Sequence, residues 1–188
     1  MEAKIVSAIF HGWRTIPVTV TVTCEDGHGL IISGLITETI HRDISRIQFA
    51  LQNCGMGSKG KKLRIDIEPA VFGKSDTLML AIAAGILVAT GKITQAARPE
   101  NYIIIGGLGV TGNVHEIPIA ENIYKVAIEM GRKGIILPYT SIVPADDEYS
   151  IPLYPVCHLN ELVSFLRRGS PHGKIELPVA LFDHLNFN

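Results

Sequence analysis

Thr77-Leu78-Met79-Leu80-Ala81-Ile82-Ala83-Ala84-Gly85-Ile86-Leu87-Val88-Ala89-Thr90 decides the fold. From Leu78 to Thr90 the chain carries no charge and is apolar on nearly every side of a helical projection, so a helix here must be buried all round. The run falls short of the ~20 residues that a bilayer span needs, which makes it a core helix. Ser75 and Asp76, just ahead of it, are good N-cap residue types. A helix of this kind needs cover on every side, and the flanking sequence supplies it.

Toward the N-terminus, Leu63, Ile65 and Ile67 alternate with Arg64, Asp66 and Glu68. That is the period-2 signature of a half-buried strand, which Pro69 is expected to stop. Val18, Val20 and Val22 alternate with Thr19, Thr21 and Thr23 in the same way, and Ile5 to Phe10 is a further strand. Glu25-Asp26-Gly27 reads as a turn, with Leu30 to Ser33 as the returning strand of a hairpin. Between these strands, Thr37 is expected to cap a helix to about Cys54, which Gly55 ends. Ile40, Ile44, Ile47 and Leu51 form its apolar stripe, with His41, Arg42, Asp43 and Arg46 on the other faces.

Toward the C-terminus come a short central strand, Tyr102 to Ile105, a glycine-rich turn and a short strand around Val114. Pro118 to Met130 is predicted as a helix, with Ile119, Ile123, Val126, Ala127 and Met130 inward. Gly134 to Leu137 is a strand closed by Pro138, followed by a loop containing Asp146-Asp147-Glu148. A last strand, Leu153 to Val156, precedes a helix from Asn160 to Arg168 that ends at Gly169. The expected fold class is α+β, two layers, a mostly antiparallel sheet with helices on one face. One domain spans residues 1–168. Residues 169–188 form a C-terminal tail, whose apolar stretch Val179 to Phe182 is expected to dock on this chain or another.

Composition narrows the function. The chain has 188 residues, 47% hydrophobic and 19% charged, which excludes a disordered chain. Seventeen basic residues against eighteen acidic give a net charge of −1, so no global field attracts nucleic acid or an anionic membrane. A nucleic-acid partner needs a local patch. The one basic run, Lys59, Lys61, Lys62 and Arg64, would need Arg14, Lys74 or Lys133 on the same surface. Cys24, Cys54 and Cys157 are odd in number and widely spaced, as expected of reduced thiols in a cytoplasmic protein. The histidines show no metal-ligand spacing, and neither a metal nor a cofactor is expected.

Two motif lookalikes fail on physical grounds. Gly107-Leu108-Gly109-Val110-Thr111-Gly112 fits a dinucleotide fingerprint, but no helix opens inside it, so it reads as a tight strand-to-strand turn. Gly73-Lys74-Ser75 looks like the end of a phosphate-binding loop. The position for that loop's first glycine is Glu68, followed by Pro69, and a carboxylate and a missing N–H are both wrong for cradling phosphate.

Gly34-Leu35, Ile67-Glu68-Pro69-Ala70, Gly85-Ile86-Leu87, Gly91-Lys92-Ile93, the turn Gly106 to Gly112 and the strand Gly134 to Pro138 occur in an order and spacing that resemble a known domain. It is the N-terminal domain of the ComM/YifB family, the Mg-chelatase-subunit-related AAA+ proteins. That domain is similar to the Lon peptidase domain. The resemblance implies a Lon-like α+β fold and covers about residues 3 to 168. In Lon-type enzymes a serine lies just before the buried helix and a lysine near the start of the next long helix. Those places fall here on Asp76, with Ser75 beside it, and on Glu121, with Lys125 one helical turn further. Where the family has Arg-Phe-Asp-Leu-Pro, this chain has Thr77-Leu78-Met79-Leu80-Ala81, and against a family in which an ATPase domain follows, the sequence is expected to be a stand-alone relative. The resemblance thus implies a vestigial dyad at Ser75, Asp76 and Glu121, and a non-catalytic domain that assembles with itself or with an AAA+ protein. Two alternatives stay open. One is an accessory of DNA processing using Lys59, Lys61, Lys62 and Arg64. The other is an active Ser-Lys peptidase with Lys125 as base.

Overall fold

The computed structural model describes residues 1–12, 14–37, 39–72, 75–94, 98–119, 122–141 and 151–168; the expected tail 169–188 and the acidic cluster Asp146-Asp147-Glu148 lie outside them. β1 (Glu2–His11) and β2 (Arg14–Asp26) form a long antiparallel ladder, from Glu2 opposite Thr23 to His11 opposite Arg14. β3 (Gly29–Ile36), α1 (Ile40–Asn53) and β4 (Lys61–Phe72) follow. A 3-10 turn, Ser75–Leu78, leads into α2 (Met79–Ala89). Then come β5 (Tyr102–Ile104), a small hairpin of β6 (Gly107–Leu108) and β7 (Val114–His115), α3 (Ile123–Glu129), β8 (Gly134–Pro138), β9 (Leu153–Val156) and α4 (Leu159–Arg168). The main sheet runs β3-β4-β2-β1-β5-β8-β9.

The class is α+β, and the sheet is mixed. Its two longest ladders, β1–β2 and β2–β4, are antiparallel, while β3–β4, β1–β5, β5–β8 and β8–β9 are parallel. Alternation divides the sheet's faces. Ile5 and Ile9 of β1, Val18, Val20 and Val22 of β2, and Leu63, Ile65 and Ile67 of β4 face the main core with α1, α2 and α4. Val6 and Ala8 of β1, Ile103 of β5 and Ile135 of β8 point the other way, into a smaller core with Ile123, Tyr124 and Ala127 of α3. The single helical layer therefore holds for α1, α2 and α4, and α3 adds partial cover on the reverse face. This explains why β1 is buried continuously from Ile5 to Ile9, while β2 and β4 alternate. Ser7, the polar residue in that buried run, donates its hydroxyl to the Ile104 carbonyl at 2.7 Å.

Four local expectations need correcting. The β2–β3 hairpin does not form, because β4 lies between the two strands, antiparallel to β2 and parallel to β3. Charge favours this arrangement: Glu25 faces Lys62 and Asp26 faces Lys61, a cross-strand match that the uncharged β3 cannot offer. Pro69 does not end β4. Pairing with β2 stops at Thr19 opposite Glu68, where proline would lack an N–H, but β4 continues along β3 to Phe72 after a bulge. Gly34 makes that bulge, with φ +81°, and a Cβ there would collide with the Ile67 carbonyl oxygen. Finally, α3 starts at Ile123 rather than Pro118, and α1 starts after Thr39 rather than Thr37.

Every residue of α2 is buried. β1 and β2 lie beneath it, α1 and α4 flank it, and β6 crosses near its start. Among the described residues no helix is long and apolar enough to cross a membrane. Gly85 sits where α2 meets β2, and a Cβ there would stand 2.6 Å from Val22 Cγ2. Alanine favours a helix over glycine by about 1 kcal/mol, but overpacking a core costs about 1–3 kcal/mol. Gly85→Ala is therefore expected to lower stability in urea melts, and adding Val22→Ala should recover part of the loss.

Candidate functional site

The start of α2 is where the resemblance places a dyad, and charged side chains from two elements meet there. On α1, Asp43 and Arg46 are three residues apart and share a face. Asp43 was expected on an outer face. Its carboxylate is instead buried, with 2% exposure. The Thr39 hydroxyl donates to its Oδ2 at 2.6 Å, and Arg46 Nη1 lies 3.5 Å from its Oδ1. The same Arg46 nitrogen lies 3.9 Å from Asp76 Oδ1 in the 3-10 turn before α2. One guanidinium thus links a buried carboxylate to a half-exposed one and ties α1 to the start of α2. Next to Asp76, the Thr77 hydroxyl is buried and has no hydrogen-bond partner among the described residues.

Backbone groups close the end of the helix. The Leu80 N–H donates to the Gly106 carbonyl, and the Gly106 N–H donates to the Thr77 carbonyl, each at 3.0 Å. The segment leading into β6 thereby uses a first-turn donor of α2 that an anion would otherwise take. Gly107 to Gly112 forms the β6–β7 turn expected of it, with no helix opening inside it.

The expected site residues fall in different places. Ser75 begins the 3-10 turn, but its side chain lies outside the described residues, as does Glu121. Asp76 is joined to Arg46. Lys125 is exposed on α3, with its amine 3.9 Å from Glu129 Oε1. Asp43 and Arg46 were missed as a site pair; their i,i+3 spacing was the available signal. Nothing in the sequence links Arg46 to Asp76, thirty positions on.

The basic run is interrupted by its fold. Lys61 donates to Asp26 at 2.7 Å. That hydrogen bond and the charge behind it hold Asp26 below the usual carboxylate range and raise Lys61. Lys62 and Arg64 share the solvent face of β4 with Asp66 and Glu68, and Lys62 faces Glu25 across the ladder. Lys59 is exposed, in the loop before β4. Arg14 stands about 30 Å along β2 from the level of Arg64, at the β1–β2 turn. Lys133 precedes β8, four strands away from β4 in the sheet, and Lys74 lies outside the described residues.

A thiol and an imidazole also converge. Cys54 Sγ and His158 Nε2 lie 2.6 and 2.8 Å from the point where a Cβ on Gly112 would sit, which is why that position has none. The imidazole is committed to structure. Its Nδ1 accepts the Asn160 N–H that caps α4, and its Nε2 faces the Thr111 carbonyl, each at 3.1 Å. Burial pushes the Cys54 thiol up, the opposite of nucleophile activation.

An α+β domain with a fully buried helix and a charge-bridged helix start defines the class to which the chain compares. A family described as "Subunit ChlI of Mg-chelatase" matches residues 18–141, from β2 to just past β8, and the chain belongs to that family. It is similar to a protein named YifB in Escherichia coli, 33% identical over 122 residues that cover 64% of this chain and 24% of the relative. YifB of Salmonella typhimurium is 32% identical over the same shares. An uncharacterized protein of Mycobacterium tuberculosis is 26% identical over 140 residues, covering 74% of this chain and 28% of the relative. The chain spans about a quarter of the length of the curated relatives it matches.

Removing Arg46 takes away the nearer of the two guanidinium groups beside the buried Asp43 carboxylate, the other being Arg42, whose Nε lies 3.9 Å from the same oxygen. Arg46→Ala is expected to cost about 1–3 kcal/mol in denaturant unfolding. Asp76→Ala, which breaks only the half-exposed limb, should cost under about 1 kcal/mol. The reverse ranking would remove the network from its supporting role.

Proposed function

We propose that this domain is non-catalytic and acts in interaction or assembly, with itself or with an AAA+ protein. The observation that carries the proposal is the cation beside Asp76. A Ser-Lys site needs an amine that can lose its proton and serve as base. Among the described residues, the charged partner next to the start of α2 is the guanidinium of Arg46, and arginine is a permanent cation, not a base. Lys125, the fallback base, is exposed on α3 and pairs with Glu129 one turn along the same helix, with its amine 3.9 Å from Oε1. On this reading Ser75, Asp76 and Glu121 are vestigial positions. The relatives' greater length is consistent with a module that works beside other domains, and the three free cysteines suit the cytoplasm.

The test is direct. Incubation with an unfolded protein substrate is expected to give no cleavage that Ser75→Ala or Lys125→Ala abolishes. A Ser75-dependent cleavage would overturn the proposal in favour of a peptidase. The nucleic-acid alternative rests on Lys59, Lys61, Lys62 and Arg64. With Lys61 engaged by Asp26 and Lys62 opposite Glu25, no retention of single- or double-stranded DNA is expected even at low salt, where phosphate contacts are strongest.

A further inference from the structure

β3 is one edge of the main sheet, and among the described residues no strand pairs with its outer side. Proteins commonly guard such edges with lysines, prolines, β-bulges or extreme shortness. The other edge follows that rule: β9 is four residues long and contains Pro155. β3 has such a guard only past Ser33, in the Gly34 bulge. Gly29-Leu30-Ile31-Ile32-Ser33, the straight part before the Gly34 bulge, has neither a charge nor a proline. Ile31 lies on the face opposite the main core and is 44% exposed. Leu30 and Ile32 face the main core and are only partly buried. Among the described residues, none of β3 or β4 belongs to the α3 core, so that helix does not cover this part of the reverse face.

We propose that β3 pairs antiparallel with β3 of a second copy of this chain, about a two-fold axis at Ile31. This inference rests on the domain's role in assembly and names the surface and the partner. The segment reads alike from both ends. In that register Ile31 meets its own equivalent on the uncovered face. Leu30 meets Ile32 of the partner, and Ile32 meets Leu30, on the core face. Every central contact is aliphatic, and the residues at either end of the ladder are the small Gly29 and Ser33.

Charge on the next strand favours the antiparallel arrangement, with Lys62 also opposite Glu25 and Asp66 also accepting the Ser33 hydroxyl on their own chain. On the uncovered face, Lys62 stands level with Gly29, Arg64 with Ile31 and Asp66 with Ser33. The two-fold axis brings Lys62 of each copy level with Asp66 of the other. A parallel pairing would instead set lysine against lysine and aspartate against aspartate. The two β4 strands would stand about 14 Å apart at the backbone, three strand spacings, and a lysine arm leaning over β3 shortens that gap.

Sedimentation velocity of the wild-type chain across a concentration series is expected to show a monomer–dimer equilibrium. Ile31→Lys should weaken the dimer at least about tenfold, with an unchanged far-UV spectrum, because the side chain is already exposed. Ile31→Val should preserve the dimer. Ile31→Cys, under mild oxidation, should give a reducible covalent dimer. Thr21→Cys, on the same face but two strands further in, should give no more than the wild type. A wild-type chain that stays monomeric at all concentrations would overturn the proposal. So would a dimer indifferent to Ile31→Lys, or cross-linking no better at 31 than at 21; the edge would then be free, or held by residues 169–188 or another protein. Ser75-dependent cleavage, by contrast, would defeat the non-catalytic reading and leave the dimer result standing.

Discussion

The structure depends on the burial of α2. A helix with eleven consecutive buried residues has no solvent face, so its neighbours must enclose it. The β1–β2 ladder forms the floor, with Gly85 allowing close approach to Val22. α1 and α4 form the walls, and the segment leading into β6 closes the start through two backbone hydrogen bonds to the turn at Thr77 and to Leu80. At the other end, Thr90 folds its hydroxyl back onto the Ile86 carbonyl at 2.7 Å, and Arg167 of α4 donates to the Lys92 carbonyl at 3.1 Å. The helix contributes apolar area on every side, and the order of the surrounding elements follows from covering it.

The same enclosure explains why charge collects at the start of α2. The ends of a buried helix are the places where it can meet polar groups. Asp76 lies at the positive end of the peptide dipoles, a favourable place for a carboxylate. Arg46 reaches it from α1 while neutralising Asp43, so one side chain serves both a buried carboxylate and the approach of two helices. A charge-linked structural joint and a catalytic dyad make different demands on one spot. The joint needs a permanent cation with several donors, which arginine supplies; a dyad needs an amine that titrates. At this position the described residues place an arginine between two carboxylates.

Much of this was legible from residue patterns. The alternation of Val18, Val20 and Val22, and of Leu63, Ile65 and Ile67, identified strands and their buried faces, because a period of two has one structural meaning. The all-round apolarity of Leu78 to Ala89 identified the central helix. The Gly107 to Gly112 turn was recognisable because no helix could start within it. Long-range matters were not legible. That β4 separates β2 from β3 depends on a pairing preference between segments some forty residues apart, which no local pattern encodes. Pro69 marked the end of one ladder but not of the other, since proline removes a donor on only one side of a strand. The burial of Asp43 was hidden by its chemistry. A carboxylate on a helix reads as solvent-facing until a specific partner is known, and here the partners include Thr39, Arg42 and Arg46. At the candidate site the helix start could be located from sequence, but its cation could not.

The insertion of β4 also constrains the order of events when the chain is made. A nascent chain grown only to Ile36 holds two extended segments running in opposite directions and joined by Gly27 and His28. These are the ingredients of a simple hairpin that the finished sheet does not contain. β4 must later enter the slot between them. Folding therefore begins with β3, α1 and β4 as a unit, or it must open a premature β2–β3 closure once residues 61–72 have left the ribosome. On the second route the chain must exchange strand partners between non-local segments, a slower rearrangement than forming a local helix.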